Sequence, residues 1–155
     1  WLRTGDLGHL DDDGYLYIDG RRKNMFITAF GRNINPEWVE AELSQHAVIG
    51  QVLFYGEQRD HNLALIWPRF SGAEQAVDEA IEQTNAGLPD YAKVNAYLVF
   101  DTPLSPDYIT SNGRLKRQAV IQTFSPQIET HYVAKIPVAP PHADQPRIKT
   151  QNQGY

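Results

Sequence analysis

The fold of this chain is decided by residues 48–67, which read VIGQVLFYGEQRDHNLALIW. Both ends of this stretch are apolar and contain β-branched and aromatic side chains, which favour strands. The residues between them, 56–62, are polar and include glycine, aspartate and asparagine, which favour turns. The pattern predicts two strands, 48–55 and 63–67, paired as an antiparallel hairpin.

A first helix is predicted just before this hairpin. Asn35 can cap its N-terminus, and Pro36 fits the first turn because no N–H is needed there. Glu37 complements the helix dipole. We expect this helix to run to about His46.

A second helix is predicted after the hairpin, opened by a capping box at residues 71–74. Gly87 and Pro89 end it, and its apolar side chains recur at the spacing of one helix face. The expected buried stripe consists of Ala73, Ala76, Val77, Ala80, Ile81 and Thr84.

The remaining elements are shorter. Residues 7–10 and 15–18 flank an Asp/Gly turn and predict a second hairpin, and a further turn at 19–20 leads to a strand at 24–28. Another strand is expected at 96–100 and a third helix at 114–124. Together the elements predict an α/β (α+β) fold, a small sandwich of a mainly antiparallel sheet with about three helices packed on it.

Composition limits the class of protein. The 155 residues leave room for one compact domain, at roughly 100–200 residues per domain. The hydrophobic fraction of 41% suits a globular core, and the net charge of −5 argues against a general nucleic-acid or anionic-membrane binder. The absence of cysteine excludes disulfides and cysteine nucleophiles and fits the cytoplasm, where we expect the protein to work. No stretch approaches the roughly 20 apolar residues that cross a bilayer, so we expect no transmembrane segment.

No metal site is expected in this chain. Its histidines lie too far apart in sequence to make a local ligand pair. The acidic turn at 11–14 does not fit a calcium loop, because counting back from Gly14 places His9 at the first ligand position and Gly20 at the twelfth, where a glutamate is required. The histidines are His9, His46, His61, His131 and His142.

Two basic patches and one carboxylate are candidates for ligand binding. The patches lie at residues 21–23 and 114–117, each beside a glycine at the junction of a turn and a regular element. Cations beside exposed backbone donors suit a phosphorylated ligand, although solvated turn charges would look the same. Asp6 follows a Thr-Gly bend, where a carboxylate can accept hydrogen bonds from two adjacent hydroxyls, as on a ribose, or can cap a turn.

Four motifs in fixed order make these features specific. They read RTGDLG at 3–8, DGYLYIDGR at 13–21, ITAFGRNINPEWVE at 27–40 and SNGRLKR at 111–117. The series resembles the C-terminal part of the AMP-forming acyl-CoA synthetases of the adenylate-forming superfamily. It covers residues 1 to about 124, and the wording around Gly31 is most similar to the long-chain acyl-CoA synthetases.

The resemblance implies a two-step ligase acting with ATP and coenzyme A. A carboxylate attacks the α-phosphate of ATP to give acyl-AMP and pyrophosphate, and a thiol, usually that of coenzyme A, then displaces AMP. A large N-terminal domain would bind ATP, Mg²⁺ and the acid. This small domain would close over it as a lid and rotate about a hinge between the half-reactions.

The same resemblance divides the chain, which opens at Trp1 without an initiator methionine and is expected to be a fragment, inactive alone. Residues 1–19 would be the end of the N-terminal domain and the approach to the hinge, with the first hairpin. Residues 20–125 would form the lid. Residues 126–155 hold five of the ten prolines and are expected to form a tail, either extended and wrapped around the domain or disordered, and not a second core.

The resemblance also implies roles near the nucleotide. Asp6 matches the carboxylate that grips the ribose hydroxyls, and Arg21 matches an arginine near the nucleotide. Lys23 occupies the hinge position. AMP and ATP are thus the expected nucleotides, with Mg²⁺ held by the absent N-terminal domain.

Two further sites follow from the resemblance. Gly31, Arg32 and Asn33 match the loop that lines the thiol tunnel. Arg114 stands where the family has its catalytic lysine, which bridges the carboxylate and the α-phosphate. Arginine keeps the charge and binds phosphate, but its planar fork is bulkier, so adenylation is expected in altered or slowed form.

Three functions remain open at this point. The first is the lid of an acyl-CoA synthetase of long-chain or related specificity. The second is the same lid in an enzyme that serves a carrier-protein phosphopantetheine or uses the adenylate without a thiol. The third is a non-catalytic binding module in which Arg114 marks lost chemistry.

Overall fold

The computed structural model describes residues 6–21, 24–133 and 147–150. In chain order the strands are β1 (Asp6–Leu10), β2 (Leu16–Arg21), β3 (Phe26–Ile27), β4 (Asn33–Ile34), β5 (Ile49–Tyr55), β6 (Leu63–Pro68), β7 (Ala96–Val99) and β8 (Arg147–Thr150). The helices are α1 (Pro36–Ser44), α2 (Glu74–Gly87), α3 (Arg117–Thr123) and α4 (Ser125–Val133).

The central sheet contains β5, β6, β7 and β8, side by side in that order. β5 and β6 pair antiparallel, with Leu53 opposite Leu65, which confirms the predicted hairpin. β7 runs parallel to β6 because α2 carries the chain back between them, and β8 pairs antiparallel with β7. The prediction of a mainly antiparallel sheet is confirmed.

Helices cover both faces of the central sheet. Successive strand residues face opposite sides, so Phe54 packs in one core cluster with α1 and α2, while Leu53 packs in the other with α3 and α4. Burial on both faces explains why β6 is apolar from Leu63 to Trp67 instead of alternating. The fold class predicted from sequence is confirmed, with four helices in the described ranges.

The first hairpin forms as predicted, but the expected turn at 19–20 does not. β2 continues to Arg21 and pairs antiparallel with β1. Leu7 lies opposite Gly20 and Gly8 opposite Ile18, so one extra residue, Asp19, interrupts the register as a β-bulge. The Asp-Gly signal therefore marked a bulge within a strand.

The starts of α1 and α2 test the two capping signals predicted from the sequence. Asn35 Oδ1 accepts the N–H of Glu37 at 3.1 Å, so the predicted cap of α1 is confirmed. The predicted capping box of α2 is wrong, because the helix begins at Glu74 with Ala73 as the uncapped N-cap residue. Gly72, at φ +73°, turns the chain just before it, and the buried Ala73 packs into the core. The rest of the predicted stripe on α2 is buried except Ala76, which is partly buried against the same cluster.

The segment after residue 125 begins as a helix, which differs from the expected extended tail. Ser125–Val133 is helical, with Ile128 buried against the sheet and His131 buried beside His61. Pro126 falls in the first turn of α4, where a missing N–H costs nothing. Arg147–Thr150 adds a strand to the edge of the sheet. Residues 134–146 and 151–155 lie outside the described ranges.

Within the described ranges, no helix has the length and apolar character that a bilayer crossing requires.

Candidate functional site

Two five-residue turns at the surface each present an arginine. They span residues 28–32 and 110–114, and both read Thr-x-x-Gly-Arg. We call them the arginine turns. In each, the threonine N–H donates to the arginine carbonyl (2.9 and 2.8 Å) and the glycine N–H to the threonine carbonyl (2.9 Å in both). The arginine N–H donates to the threonine Oγ1 (3.2 and 3.1 Å), so the two turns share one local structure.

Glycine is needed in both arginine turns. Gly31 has φ +75° and Gly113 has φ +79°, in the left-handed region that a side chain enters only at a cost of about 1–2 kcal/mol. Strands β3 and β4 close the first turn, and a bridge between Ile109 and Leu115 closes the second. Each arginine thus sits on a fixed backbone while its side chain is exposed.

Arg32 and Arg114 differ from other arginines in their side-chain contacts. Arg59, Arg69 and Arg117 each donate to a protein acceptor. The guanidinium groups of Arg32 and Arg114 have no hydrogen-bond or ion-pair partner among the residues that the structure describes. All of their N–H donors are therefore open to a phosphate or a carboxylate.

Arg114, the predicted catalytic cation, lines an open cleft of about 1120 Å³. Residues of α1 and β5 line it together with the segment 110–119. A cation on a fixed turn at the edge of a concave surface can meet an anion held by a second body. The structure is thus compatible with the role that the sequence predicts for Arg114.

The second basic patch does not act as one unit. Arg117 donates to the carbonyl of Phe54 at 3.1 Å and forms an ion pair with Glu40, which also accepts the N–H of Phe54 at 2.7 Å. Lys116 Nζ donates to the carbonyl of Asp107 at 2.9 Å. Burial raises the pKa of the Glu40 carboxyl, while the Arg117 cation opposes this shift. Arg117 is therefore a structural tie between α3, α1 and β5.

The predicted nucleotide ligands lie on the first hairpin. Asp6 in β1 and Arg21 in β2 are directly opposite each other in the strand register. The pairing places both backbones at the open end of the hairpin, away from its turn. Lys23, the predicted hinge residue, lies outside the described residues.

Comparison with known protein families decides the relationship. A family model described as the AMP-binding enzyme C-terminal domain matches residues 23–135. The chain belongs to this family. The matched range includes both arginine turns of the AMP-binding C-terminal domain and extends past α4.

Relatives of this AMP-binding C-terminal domain are adenylate-forming enzymes. The chain is 28% identical over 158 residues to the long-chain-fatty-acid–CoA ligase FadD15 of Mycobacterium tuberculosis, over 85% of this chain and 26% of that protein. It superposes on the carboxylate reductase adenylation domain of Mycobacterium chelonae with a TM-score of 0.75 at 20% identity, covering 84% of this chain and 23% of that one. For the o-succinylbenzoate CoA synthetase of Bacillus subtilis, solved with its acyl-adenylate, the TM-score is 0.60 at 26% identity. The match covers 77% of this chain and 24% of that one.

These findings confirm the resemblance seen in the motifs. The domain spans about a quarter of the length of the curated relative FadD15. No group of three or more His, Asp or Glu side chains in the described ranges could hold a metal ion.

Two histidines distant in sequence meet in the domain. His61 Nε2 lies 2.8 Å from His131 Nε2, and His61 Nδ1 lies 2.6 Å from Asp60 Oδ1. Their spacing in the sequence did not indicate this contact, which the fold creates between distant positions. These contacts join the loop between β5 and β6 to α4. The hydroxyl of Tyr132 in α4 also donates a hydrogen bond to the His61 carbonyl at 3.0 Å.

Acidification is expected to destabilise the domain through His131. Burial and the neighbouring His61 lower the pKa of His131 to about 4, although Asp60 acts in the opposite direction. An unfolded chain has the ordinary histidine pKa of about 6.5, so it binds more protons than the native state between these values. Stability therefore falls as the pH drops through this window, by about 2 kcal/mol between roughly pH 7.5 and 5.0. Urea denaturation at both pH values measures the change.

Two variants test that assignment. His131→Gln should lose most of the pH dependence, because the shifted group is gone. His9→Gln, which changes an exposed histidine in β1, should retain it. An undiminished pH dependence in His131→Gln would show that another group is responsible.

One residue of the site was not predicted from the sequence, and one signal in the sequence was not recognised. Tyr91 lies beneath the guanidinium of Arg32, with 5.5 Å between the guanidinium carbon and the ring centroid. No local pattern indicates this contact, because its partners are far apart in the chain. The repeated Thr-x-x-Gly-Arg pattern was visible in the sequence and would have related Arg32 to Arg114.

Proposed function

We propose that this domain is the lid of an AMP-forming ligase that joins a fatty acid to the thiol of coenzyme A. The observation that carries the proposal is Arg114, held on a fixed turn with all its guanidinium donors open. The resemblance of the motifs to the family implies that it stands at the position of the catalytic lysine. The similarity to the long-chain-fatty-acid–CoA ligase FadD15, which covers 85% of this chain, supports a fatty acid as the substrate.

Arg114 would act in the first half-reaction by electrostatic stabilisation. The carboxylate oxygen attacks the α-phosphorus of ATP, the bond to the pyrophosphate oxygen breaks, and acyl-AMP and pyrophosphate result. A cation that contacts both the carboxylate and the α-phosphate lowers the repulsion between two anions and stabilises the charge that moves onto phosphate oxygens. A guanidinium can donate two parallel hydrogen bonds in that position.

The first hairpin would hold the nucleotide. Asp6 accepts hydrogen bonds from the ribose hydroxyls, and Arg21, opposite it across the strand pair, contributes charge near the phosphates. Lys23 serves as the hinge. The pairing of Asp6 with Arg21 in register supports a shared task for the two.

The arginine turn at 28–32, which contains Gly31 and Arg32, and the adjoining Asn33 of β4 would serve the second half-reaction. The thiol loses its proton, its sulfur attacks the acyl carbonyl carbon, AMP leaves with the bonding electron pair, and the thioester forms. This turn lines the path of the thiol in the second orientation of the lid. Its fixed backbone and the open donors of Arg32 support that role.

The partner of the lid would be its own N-terminal domain. That domain supplies the ATP-binding loop, the Mg²⁺ ligands and the acyl pocket, so the chain studied alone should not turn over substrate. The open cleft beside Arg114 gives the lid a concave surface for this partner.

A single assay tests the proposal and separates its alternatives. The full-length enzyme is supplied with ATP and palmitate, and AMP release is measured with and without coenzyme A. Release that depends on coenzyme A supports the proposed ligase. Turnover without coenzyme A would indicate a carrier-protein or thiol-independent enzyme, and no release under either condition would indicate a non-catalytic binding module.

A further inference from the structure

The guanidinium of Arg32 rests on an aromatic ring instead of a carboxylate. Its carbon lies 5.5 Å from the centroid of the Tyr91 ring, within the range of a cation–π contact. An ion pair would occupy the N–H donors of the arginine, as Glu129 does for Arg59. A ring face attracts the cation but leaves the N–H donors, which lie in the plane of the guanidinium, free to bind another group.

The Tyr91 ring is itself held on a fixed backbone. The buried Asn62 donates through Nδ2 to the carbonyls of Tyr91 and Lys93, at 2.9 and 3.0 Å. Ala92, next to Tyr91, is fully buried and donates its N–H to the carbonyl of Pro89 at 2.9 Å. Both partners of the contact, ring and cation, thus belong to fixed pieces of backbone.

The two arginine turns have the same pattern of internal hydrogen bonds, but only Arg32 has an aromatic ring beneath its guanidinium in the described ranges. The structure gives Arg114 no aromatic platform within the described ranges, and its side chain is exposed beside a cleft. Arg32 is held over a ring. A cation that is restrained in advance and keeps its donors open loses less entropy when it binds an anion.

We propose that Arg32 binds a phosphate group of coenzyme A during thioester formation and that Tyr91 is its positioning residue. This inference rests on the proposed function, because it takes the turn at 28–32 to face the thiol substrate. The phosphates of coenzyme A match the guanidinium fork in charge and geometry, whereas its pantetheine arm offers only neutral acceptors.

The test compares coenzyme A with pantetheine, which carries the thiol but no phosphate, in the full-length enzyme with ATP and palmitate. Arg32→Gln should raise the KM for coenzyme A about tenfold while kcat changes less than the KM. The KM for pantetheine should stay within about twofold. Tyr91→Leu should raise the KM for coenzyme A about threefold, because the cation loses its platform, and Tyr91→Phe should restore the wild-type value, because the ring face is kept.

Phe70→Leu is the matched control, since it removes an exposed aromatic ring that supports no cation in the described ranges. It should leave both KM values unchanged. An unchanged KM for coenzyme A in Arg32→Gln would overturn the inference, and so would an equal rise for coenzyme A and pantetheine. If Tyr91→Leu fails to fold, Arg32→Gln and Tyr91→Phe still decide. Carboxylate-dependent ATP–pyrophosphate exchange in the wild-type enzyme tests the proposed function separately, because its absence would count against the ligase itself.

Discussion

Arg114→Ala in the full-length enzyme is expected to lower carboxylate-dependent ATP–pyrophosphate exchange at least tenfold. The exchange reports the first half-reaction alone, in which the guanidinium is proposed to bridge two anions. Loss of one preorganised donor at such a site typically costs about 10²–10³ in rate. The turn should survive the change, since its hydrogen bonds involve the backbone of residue 114 and the hydroxyl of Thr110.

Two substitutions make the Arg114 result specific. Arg114→Lys should retain or raise the exchange rate, because lysine keeps the charge and is the residue that the resemblance to the family predicts there. Lys116→Gln, two positions on, should change it less than about twofold, since the Lys116 ammonium donates to the carbonyl of Asp107. Unchanged exchange in Arg114→Ala would show that another group supplies the cation.

Glu40→Ala is expected to lower the free energy of unfolding of the domain by about 3–5 kcal/mol. The side chain of Glu40 is only 15% exposed, as is that of Arg117, and removing it leaves a largely buried cation without its counter-charge. The N–H of Phe54 loses its acceptor at the same time. Urea denaturation of the 155-residue chain measures the loss.

Controls for Glu40 lie on the same helix and across the ion pair. Glu42→Ala removes an exposed carboxylate of α1 and should change stability by less than about 0.5 kcal/mol. Glu40→Leu combined with Arg117→Met should recover part of the loss, because no charge is then left buried, although the Phe54 N–H still lacks an acceptor. If Glu40→Ala and Glu42→Ala cost the same, the pair contributes nothing measurable.

Elements whose stabilising contacts are local were predictable from sequence. The hairpin of β5 and β6 follows from two apolar runs around a polar turn, and the cap of α1 from Asn35. The capping box at 71–74 had the right residues but failed, because packing of Ala73 set the start of α2. A local signal thus decides an element only where the core does not compete with it.

Elements that depend on distant contacts were not predictable in the same way. The prolines beyond residue 125 suggested an extended tail, yet burial of Ile128 and His131 made 125–133 a helix. The parallel pairing of β6 with β7 follows from the crossover through α2. No sequence pattern related His61 to His131 or Tyr91 to Arg32.

By itself the sequence determined the α/β class and the four ordered motifs that resemble the AMP-binding enzymes, and it predicted that Arg114 stands at the position of a family lysine. The tertiary structure alone decided which cations are available to a ligand. Arg117 donates to Glu40 and to the Phe54 carbonyl, whereas the guanidinium donors of Arg114 and Arg32 stay open on two turns of the same structure. The reason is physical, since a side chain's charge is encoded at its own position, but the groups that neutralise it are brought near by burial of apolar surface elsewhere in the chain.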